Sequence, residues 1–155
     1  MEPQSHVRRA KASDAGALAV LRFAFRSSLA TPVESQAEFV ARCAIWMQSH
    51  LEDDAHWRGW IAEHSGAAVG TVWLQIIEKL PNPVVERELH AYVTNLFVLP
   101  EHRGNGVGGL LLSALLAACQ SLDVDTIFLW PTPNSRTLYA RHGFTVRDDV
   151  MFRVL

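Results

Sequence analysis

A glycine-rich junction between an apolar strand and an apolar helix constrains the fold of this chain more than any other feature. Residues 93–98 form an apolar run, a proline turn follows, and the cluster Gly104-Asn105-Gly106-Val107-Gly108-Gly109 opens the helical pattern of residues 110–120. Glycines at such a junction leave backbone N–H groups uncovered. A helix N-terminus adds about half a positive charge there. The junction therefore predicts a binding site for phosphate or pyrophosphate.

Two phosphate-binding motifs fit the junction poorly. A nucleoside-triphosphate P-loop needs Lys and then Ser or Thr after its last glycine, but two leucines occupy these positions. The dinucleotide pattern G-x-G-x-x-G is satisfied by Gly104, Gly106 and Gly109, and Asp123 or Asp125 lies near the expected acidic position. That pattern normally opens a long βαβαβ unit, and only residues 110–155 remain here. We therefore disfavour both motifs.

A third interpretation of the junction includes the arginine that precedes the glycines. Arg103, Gly106 and Gly108 form the pattern R-x-x-G-x-G. This pattern resembles the coenzyme A pyrophosphate loop of the GNAT superfamily, whose members are acyl-CoA-dependent N-acyltransferases. For the loop taken alone, a glycine-rich turn that only caps a core helix remains the alternative.

A second segment downstream strengthens the resemblance. An apolar, β-rich run at residues 126–130 is followed by a turn with two prolines and by a predicted helix at residues 134–142. This helix carries Tyr139 and is followed by Gly143 and Phe144. The segment looks like the family's second motif, in which a short helix carries a tyrosine and ends in Gly-Phe. A half-buried aromatic residue on an amphipathic helix is the alternative for Tyr139 by itself.

Hydrophobic periodicity and turn residues predict the element order β-α-α-β-β-β-α-β-α-β-β in a single domain, residues 1–155. The predicted strands are residues 6–10, 57–63, 68–77, 90–98, 126–130, 144–147 and 150–154. The predicted helices run from Ser13 or Asp14 to Ser28 and over residues 35–50, 106–120 and 134–142, and Ser65-Gly66 is predicted as a hairpin turn. This order predicts a mixed α/β fold, with a central sheet and helices on both faces, and it resembles the GNAT fold.

Charge and hydropathy exclude several classes of protein. The net charge is −2 over 155 residues, which argues against a generally basic nucleic-acid-binding protein. No apolar stretch reaches the roughly 18 residues that a membrane span requires. The first nine residues are polar and charged, unlike a secretory signal. We therefore expect neither a nucleic-acid partner nor a membrane partner.

Cysteine and histidine usage bears on location and metal binding. Cys43 and Cys119 lie within apolar helical patterns and are predicted to be buried free thiols, which fits a reducing cytoplasm. The seven histidines are scattered without the spacing of metal ligands, so no metal site is expected. Five tryptophans predict either aromatic core packing or an aromatic-lined pocket: Trp46, Trp57, Trp60, Trp73 and Trp130.

The resemblance implies that acetyl-CoA is the cofactor and assigns its binding residues. The N–H groups of residues 104–109 would hold the pyrophosphate, and Arg103 would set the loop or contact a phosphate. The edge of Leu96, Phe97 and Val98 would pair with the pantetheine arm, with the Leu96 N–H polarising the thioester carbonyl. Asn134 resembles the arm-binding asparagine of the family, a role that Ser135 or Arg136 could share or take. Arg136 and Arg141 are also candidate ligands of the 3′-phosphate.

The implied reaction is attack of an amine on the acetyl thioester. Tyr139 is the candidate general acid for the departing thiolate. Many relatives carry a glutamate on the central strand where Tyr92 stands. Glu88, His90 and Tyr92 share strand parity, and His90 has the ordinary pKa best suited to a base. Direct attack by an already neutral amine is the alternative.

The sequence does not identify the acceptor beyond a small-molecule or peptide amine. We expect its cleft to involve the first two helices, the loop at residues 80–88 and the C-terminal hairpin. Glu78, Glu86 and Glu88 would attract a cationic amine or would form an ordinary solvated loop. A homodimer through the C-terminal strands is plausible by resemblance. A non-catalytic acyl-CoA sensor or interaction module is the alternative function.

Overall fold

A five-stranded sheet with strand order β1-β2-β3-β4-β5 forms the centre of the molecule. The computed structural model describes residues 4–155. The first four strands pair antiparallel, and the last pairs parallel to its neighbour. Their bounds are β1 (His6–Arg9), β2 (Trp57–His64), β3 (Ala67–Glu78), β4 (Leu89–Val98) and β5 (Thr126–Phe128). The helices are α1 (Ala15–Ser27), α2 (Gln36–Glu52), α3 (Val107–Ser121) and α4 (Arg136–Arg141).

The two faces of the sheet bury separate cores. Successive strand residues point to opposite faces, so Ile61 and Trp73 pack under α1 and α2 while Trp60, Val72 and Leu74 pack under α3. This arrangement confirms the predicted mixed α/β fold with helices on both faces. Within residues 4–155, no helix is both long and apolar enough to cross a membrane.

Local sequence signals explain where most elements begin. Ser35 and Glu38 form a reciprocal capping box at the start of α2, with the Ser35 N–H donating to Glu38 Oε2 at 3.0 Å. Ser65 and Gly66 both have positive φ, 51° and 78°, as the tight hairpin between β2 and β3 requires. The start of α1 differs from the prediction, because the Asp14 carboxylate binds Arg8 and the Lys11 N–H instead of capping the helix.

An irregularity in β4 shapes the rest of the molecule. Thr71 of β3 pairs with Phe97, but Trp73 pairs with Thr94, so two residues of β4 oppose one residue of β3. This is a β-bulge, and Asn95 within it has φ of +57°. The extra residue changes which face each side chain occupies, so that Thr94 and Asn95 both line the α1–α2 side while Leu96 packs against the α3 core.

The two closing strands predicted at residues 144–147 and 150–154 are wrong. Residues 142–155 contain no strand, and apolar side chains there are exposed, with Val146 at 84% and Val154 at 95%. Alternating hydrophobicity is not enough to form a strand, because a strand also needs the edge of a neighbouring strand to pair with. The nearest preceding strand, β5, offers little edge, since it is three residues long instead of the predicted five. The last helix starts at Arg136 instead of Asn134, because residues 132–135 form a hydrogen-bonded turn.

Candidate active site

The glycine loop leaves a row of backbone donors at the start of α3. Gly104 and Gly106 have φ of +80° and +79°, a conformation that residues with a Cβ rarely adopt. The first helical hydrogen bond runs from the Leu110 N–H to the Gly106 carbonyl at 3.0 Å. Within residues 4–155, no acceptor pairs with the N–H groups of Val107, Gly108 or Gly109 outside that helical ladder, and no side chain caps the helix. These donors can bind an anion.

Arg103 ties this loop to the end of β4. Its Nε donates to the Val98 carbonyl at 2.8 Å, and its guanidinium lies 5.5 Å from the centre of the Phe97 ring. The hydrogen bond supports the loop-setting role predicted for Arg103. The Nη atoms have no hydrogen-bond partner among residues 4–155, so they can also contact a phosphate.

The C-terminal half of β4 has an open edge beside the loop. β5 pairs only with His90, Ala91 and Tyr92, so the two strands separate after residue 92 and leave a gap that we call the wedge. The Leu99 N–H donates to the Val69 carbonyl at 2.9 Å. Because strand backbone groups alternate in direction, those of Phe97 also face β3 and those of Leu96 and Val98 face the wedge.

Phe97 therefore differs from its two neighbours, although all three residues were predicted to pair with the pantetheine arm. Its backbone groups pair with Thr71, and its ring stacks on Phe25 at a centroid distance of 5.3 Å. Its side chain positions α1 against β4, whereas the backbone of its two neighbours is available to a ligand.

Tyr139 lies on α4 where this helix packs against α3. Gly108 permits the close approach, because a Cβ there would lie 3.2 Å from Leu138 Cδ2. Tyr139 is 7% exposed, and its ring packs edge-on against Phe144. Burial, reinforced by the nearby Tyr92, raises the pKa of Tyr139 to about 12. Among residues 4–155, no hydrogen-bond partner is present for its hydroxyl group, which is therefore available to a ligand.

The turn before α4 and the first residue of that helix provide the three predicted ligands of the pantetheine arm. Ser135 Oγ donates to the Thr132 carbonyl at 3.0 Å and accepts from the Thr132 N–H at 2.9 Å, so this hydroxyl is engaged within the turn. Asn134 and Arg136 are exposed. The turn therefore leaves these two side chains, more than Ser135, available for binding.

The structure separates His90, the candidate base, from Tyr92, although the two share strand parity. Tyr92 lines a cleft on the α1–α2 face and packs against Phe128 and Trp130. His90 lies outside the residues lining that cleft and pairs with Thr126 of β5. Its Nδ1 is buried, without a hydrogen-bond partner within residues 4–155.

The acidic residues of the β3–β4 connection hold that segment together. Lys79 Nζ lies 2.7 Å from Glu86 Oε1, and Glu88 Oε1 accepts from the Asn82 N–H at 3.2 Å. None of Glu78, Glu86 and Glu88 lines the cleft. This arrangement favours the solvated-loop interpretation over attraction of a cationic acceptor.

The cleft itself has a volume of about 410 Å³ and lies between α1, α2 and the sheet. Aromatic side chains dominate its walls: Phe39, Trp46, Trp57, Trp73 and Tyr92. Arg22 and Arg42 supply its charged groups, and Cys43 also lines it. The aromatic-lined pocket is thus present. The sequence does not indicate the two arginines, because nothing in the spacing of residues 22 and 42 relates them to strand residues far along the chain.

The two cysteines differ in environment. Both are free thiols, as predicted, and burial raises the pKa of Cys119 to about 11. Cys43 is only partly buried, at the wall of the cleft. Within residues 4–155, no group of three His, Cys, Asp or Glu side chains is placed to hold a metal ion.

Comparison with known proteins identifies the family to which this chain belongs. The sequence pattern of the acetyltransferase (GNAT) family matches residues 23–144. The chain belongs to the GNAT family. This membership confirms the resemblance inferred from the two motifs. A comparison with curated proteins finds no match.

Solved structures share the fold of this GNAT protein over nearly its whole length. A GCN5-related N-acetyltransferase from Ralstonia eutropha is 24% identical, with a TM-score of 0.79 and coverage of 97% of this chain and 99% of that one. A predicted acetyltransferase from Clostridium acetobutylicum, solved with acetyl-CoA, is 19% identical with a TM-score of 0.80, covering 97% and 96%. An aminoglycoside N-acetyltransferase solved with coenzyme A is 19% identical with a TM-score of 0.73, covering 100% and 97%.

Proposed function

We propose that this GNAT acetyltransferase moves an acetyl group from acetyl-CoA to a primary amine by direct attack, with both substrates bound together. The observation that carries this proposal is the wedge, which places the open edge of β4 directly beside the uncapped N–H groups of α3. The aromatic cleft lies on one face of the same strand and offers a separate site for the acceptor.

The residues around the wedge fit acetyl-CoA. The N–H groups of residues 107–109 suit the pyrophosphate, and Arg103 suits a further phosphate contact. The Leu96 and Val98 backbone groups suit the amides of the pantetheine arm. The side chains of Asn134 and Arg136, which follow β5 in the chain, suit the other side of that arm. Two structures that share the fold are solved with acetyl-CoA or coenzyme A. When bound, acetyl-CoA supplies a thioester whose carbon–sulfur bond breaks as the amine nitrogen forms an amide, with loss of one amine proton and release of the thiol.

The chain contributes two hydrogen-bond donors to this chemistry. The Leu96 N–H faces the wedge and can polarise a carbonyl oxygen placed there. Tyr139 keeps its proton throughout the neutral pH range, because its pKa is raised to about 12. It can donate that proton to the developing thiolate, and the proton that the amine nitrogen loses then restores the phenol.

The acceptor amine enters this scheme in its neutral form. No carboxylate or histidine is found among the residues that line the cleft within the described part of the chain. Solvent water therefore takes the proton from the ammonium form of the acceptor before the neutral amine attacks. Tyr92 lines the cleft and can orient the amine through its hydroxyl group.

A non-catalytic acyl-CoA sensor is the second candidate function. The absence of a carboxylate base from the described cleft lining favours it, because turnover of a protonated amine is slower without one. In both cases the partner is a small molecule or a peptide. The cytoplasmic location remains a prediction.

Thermal stabilisation by acetyl-CoA, coenzyme A, NAD and ATP tests the cofactor site. A bound ligand raises Tm according to its concentration relative to Kd, so we expect shifts with the two coenzyme A compounds alone. Asn105→Asp should weaken coenzyme A binding about fivefold, because repulsion between a new carboxylate on the loop and the pyrophosphate costs about 1 kcal/mol in water. Asn105→Ala is the matched control and should bind normally. Stabilisation by NAD, or by none of the compounds, would contradict the assignment.

Thiol release distinguishes the enzyme from the sensor. A panel of amines incubated with acetyl-CoA should release coenzyme A at a rate that depends on amine concentration. Stabilisation by acetyl-CoA without release for any amine would favour the sensor.

A further inference from the structure

The lining and the volume of the acceptor cleft indicate which class of acceptor it can bind. Its walls are aromatic: the Trp46 and Trp57 rings lie edge to face at 5.2 Å, and Trp57 and Trp73 do so at 6.4 Å. Its volume of about 410 Å³ falls within the range of about 300–1,000 Å³ typical of small-ligand sites. Such walls suit a compact ligand with an aromatic or large apolar group more than a long polar chain.

The two arginines of the cleft are not equivalent. Arg42 is paired through two nitrogens with Glu34, including Nε to Oε2 at 3.0 Å, and its guanidinium covers the Phe39 ring. Arg22 is half-buried, and within residues 4–155 it forms no ion pair. Its side chain donates only to the Asn95 amide oxygen, at 3.2 Å. The cleft therefore holds one positive charge that no described carboxylate balances.

This unbalanced charge points to an anionic ligand. A partly desolvated guanidinium is destabilised, and both burial and the neighbouring Arg26 lower the pKa of Arg22. A carboxylate compensates such a charge and matches the guanidinium geometry with two parallel hydrogen bonds. A polycationic acceptor would meet repulsion from Arg22 and no described acid in the lining.

The position of Arg22 limits the distance between the carboxylate and the reacting amine. Asn95, its partner, belongs to the β4 bulge and directly precedes Leu96, whose N–H faces the wedge. A ligand carboxylate on Arg22 thus lies beside the point where the acetyl group is transferred. An amine that reaches this point must be close to its own carboxylate, as in an α-amino acid.

We propose that the acceptor is an α-amino acid with an aromatic or large apolar side chain, whose carboxylate pairs with Arg22 while its side chain packs on the tryptophans. This substrate class rests on the proposed acetyl transfer, but the carboxylate site can be tested by binding alone.

Calorimetric titration measures this site without turnover. The ligands are L-phenylalanine, L-leucine and L-methionine, with L-phenylalaninamide and 2-phenylethylamine as matched compounds that lack the carboxylate, and spermidine as a polycation. Each is titrated into the full chain with and without coenzyme A. We expect at least one amino acid to bind about tenfold or more tightly than the compounds without a carboxylate.

Variants of α1 assign this preference to one side chain. Arg22→Gln should remove the preference and Arg22→Lys should retain part of it. The exposed Arg26→Gln on the same helix should change it by no more than about twofold, because Arg26 is exposed and its charge is screened by solvent. Coenzyme A affinity of Arg22→Gln should stay within about twofold of the wild type, which also shows that the variant is folded.

Several results would overturn the proposal. They are equal or tighter binding of the amines without a carboxylate, no binding of any amino acid, and a loss of coenzyme A affinity in Arg22→Gln with amino-acid binding unchanged. Failure of the proposed function has a different signature, in which the amino acid binds with the expected preference but acetyl-CoA releases no thiol.

Discussion

Tyr139 is buried, and its hydroxyl group has no hydrogen-bond partner among the described residues. Its pKa of about 12 means that the phenol carries its proton at every pH where the protein is expected to work. Removing the hydroxyl should leave the packing of the ring against Phe144 intact. The residue therefore permits a clean separation of a chemical role from a structural one.

Tyr139→Phe should lower kcat about a hundredfold, the usual range for loss of a positioned acid, and leave coenzyme A affinity nearly unchanged. Steady-state thiol release and calorimetry measure the two quantities. Since the phenol ionises only near pH 12, the wild type should show no alkaline loss of rate from this group below about pH 11. An equal loss of rate and of affinity would make Tyr139 a binding residue instead.

Among the elements, β1 depends on a charged cluster that joins it to the start of α1 and to β2. The Arg8 guanidinium binds both carboxylate oxygens of Asp14, at 2.8 and 2.9 Å, and also lies 2.8 Å from Glu63 Oε1. The hydrogen bonds from Arg8 hold the pKa values of Asp14 and Glu63 below their ordinary range. The same arginine raises the free energy of unfolding as long as both acids are ionised.

Asp14→Asn should lower the free energy of unfolding at pH 7 by about 1 kcal/mol, a figure reduced for solvent screening. Urea unfolding at several pH values measures it. Because the folded pKa of Asp14 is depressed, its contribution is present above its ordinary pKa of 3.8 and is lost as the pH falls through the lower folded value. The difference in free energy of unfolding between the wild type and the variant should therefore disappear in strong acid. A difference that is constant with pH would contradict the ion pair as its source.

At the scale of the whole molecule, the segment at residues 146–155 stands apart from both cores. Most of its apolar side chains are exposed, including Val150, Met151, Phe152 and Val154. Phe152 makes one aromatic contact, with Trp130 at 5.8 Å. Exposed apolar side chains in sequence succession are typical of surfaces that associate. The homodimer inferred by resemblance stays a prediction, and this segment is where we expect its contact.

Deleting residues 146–155 should convert a dimer to a monomer and should change Tm by only a few degrees, because the deleted side chains lie outside both buried clusters. Sedimentation equilibrium of the full and shortened chains measures the association, and thermal unfolding measures the stability. Replacing Met151 and Val154 by Ser within the full chain is a control for the loss of backbone. A full chain that remains monomeric at high concentration would contradict the prediction.

The features that the sequence by itself determined are local. The glycine loop requires backbone conformations without a Cβ, the capping box of α2 joins residues three apart, and the hairpin turn needs two positive φ angles in succession. Periodicity within single elements then specifies α/β order, and the two motifs specify the GNAT family. These signals are readable because each depends on residues that are close in the chain.

The tertiary structure alone decided how these elements combine. The bulge at Asn95 depends on pairing with β3, the wedge depends on where β5 leaves β4, and the absent closing strands depend on whether an edge can receive them. Arg22 lines the cleft only because α1 lies over the bulge, beside tryptophans from α2, β2 and β3. Each of these features requires partners that are distant in sequence, and hydrophobic patterning sets which face of an element is buried without specifying the partner that covers it.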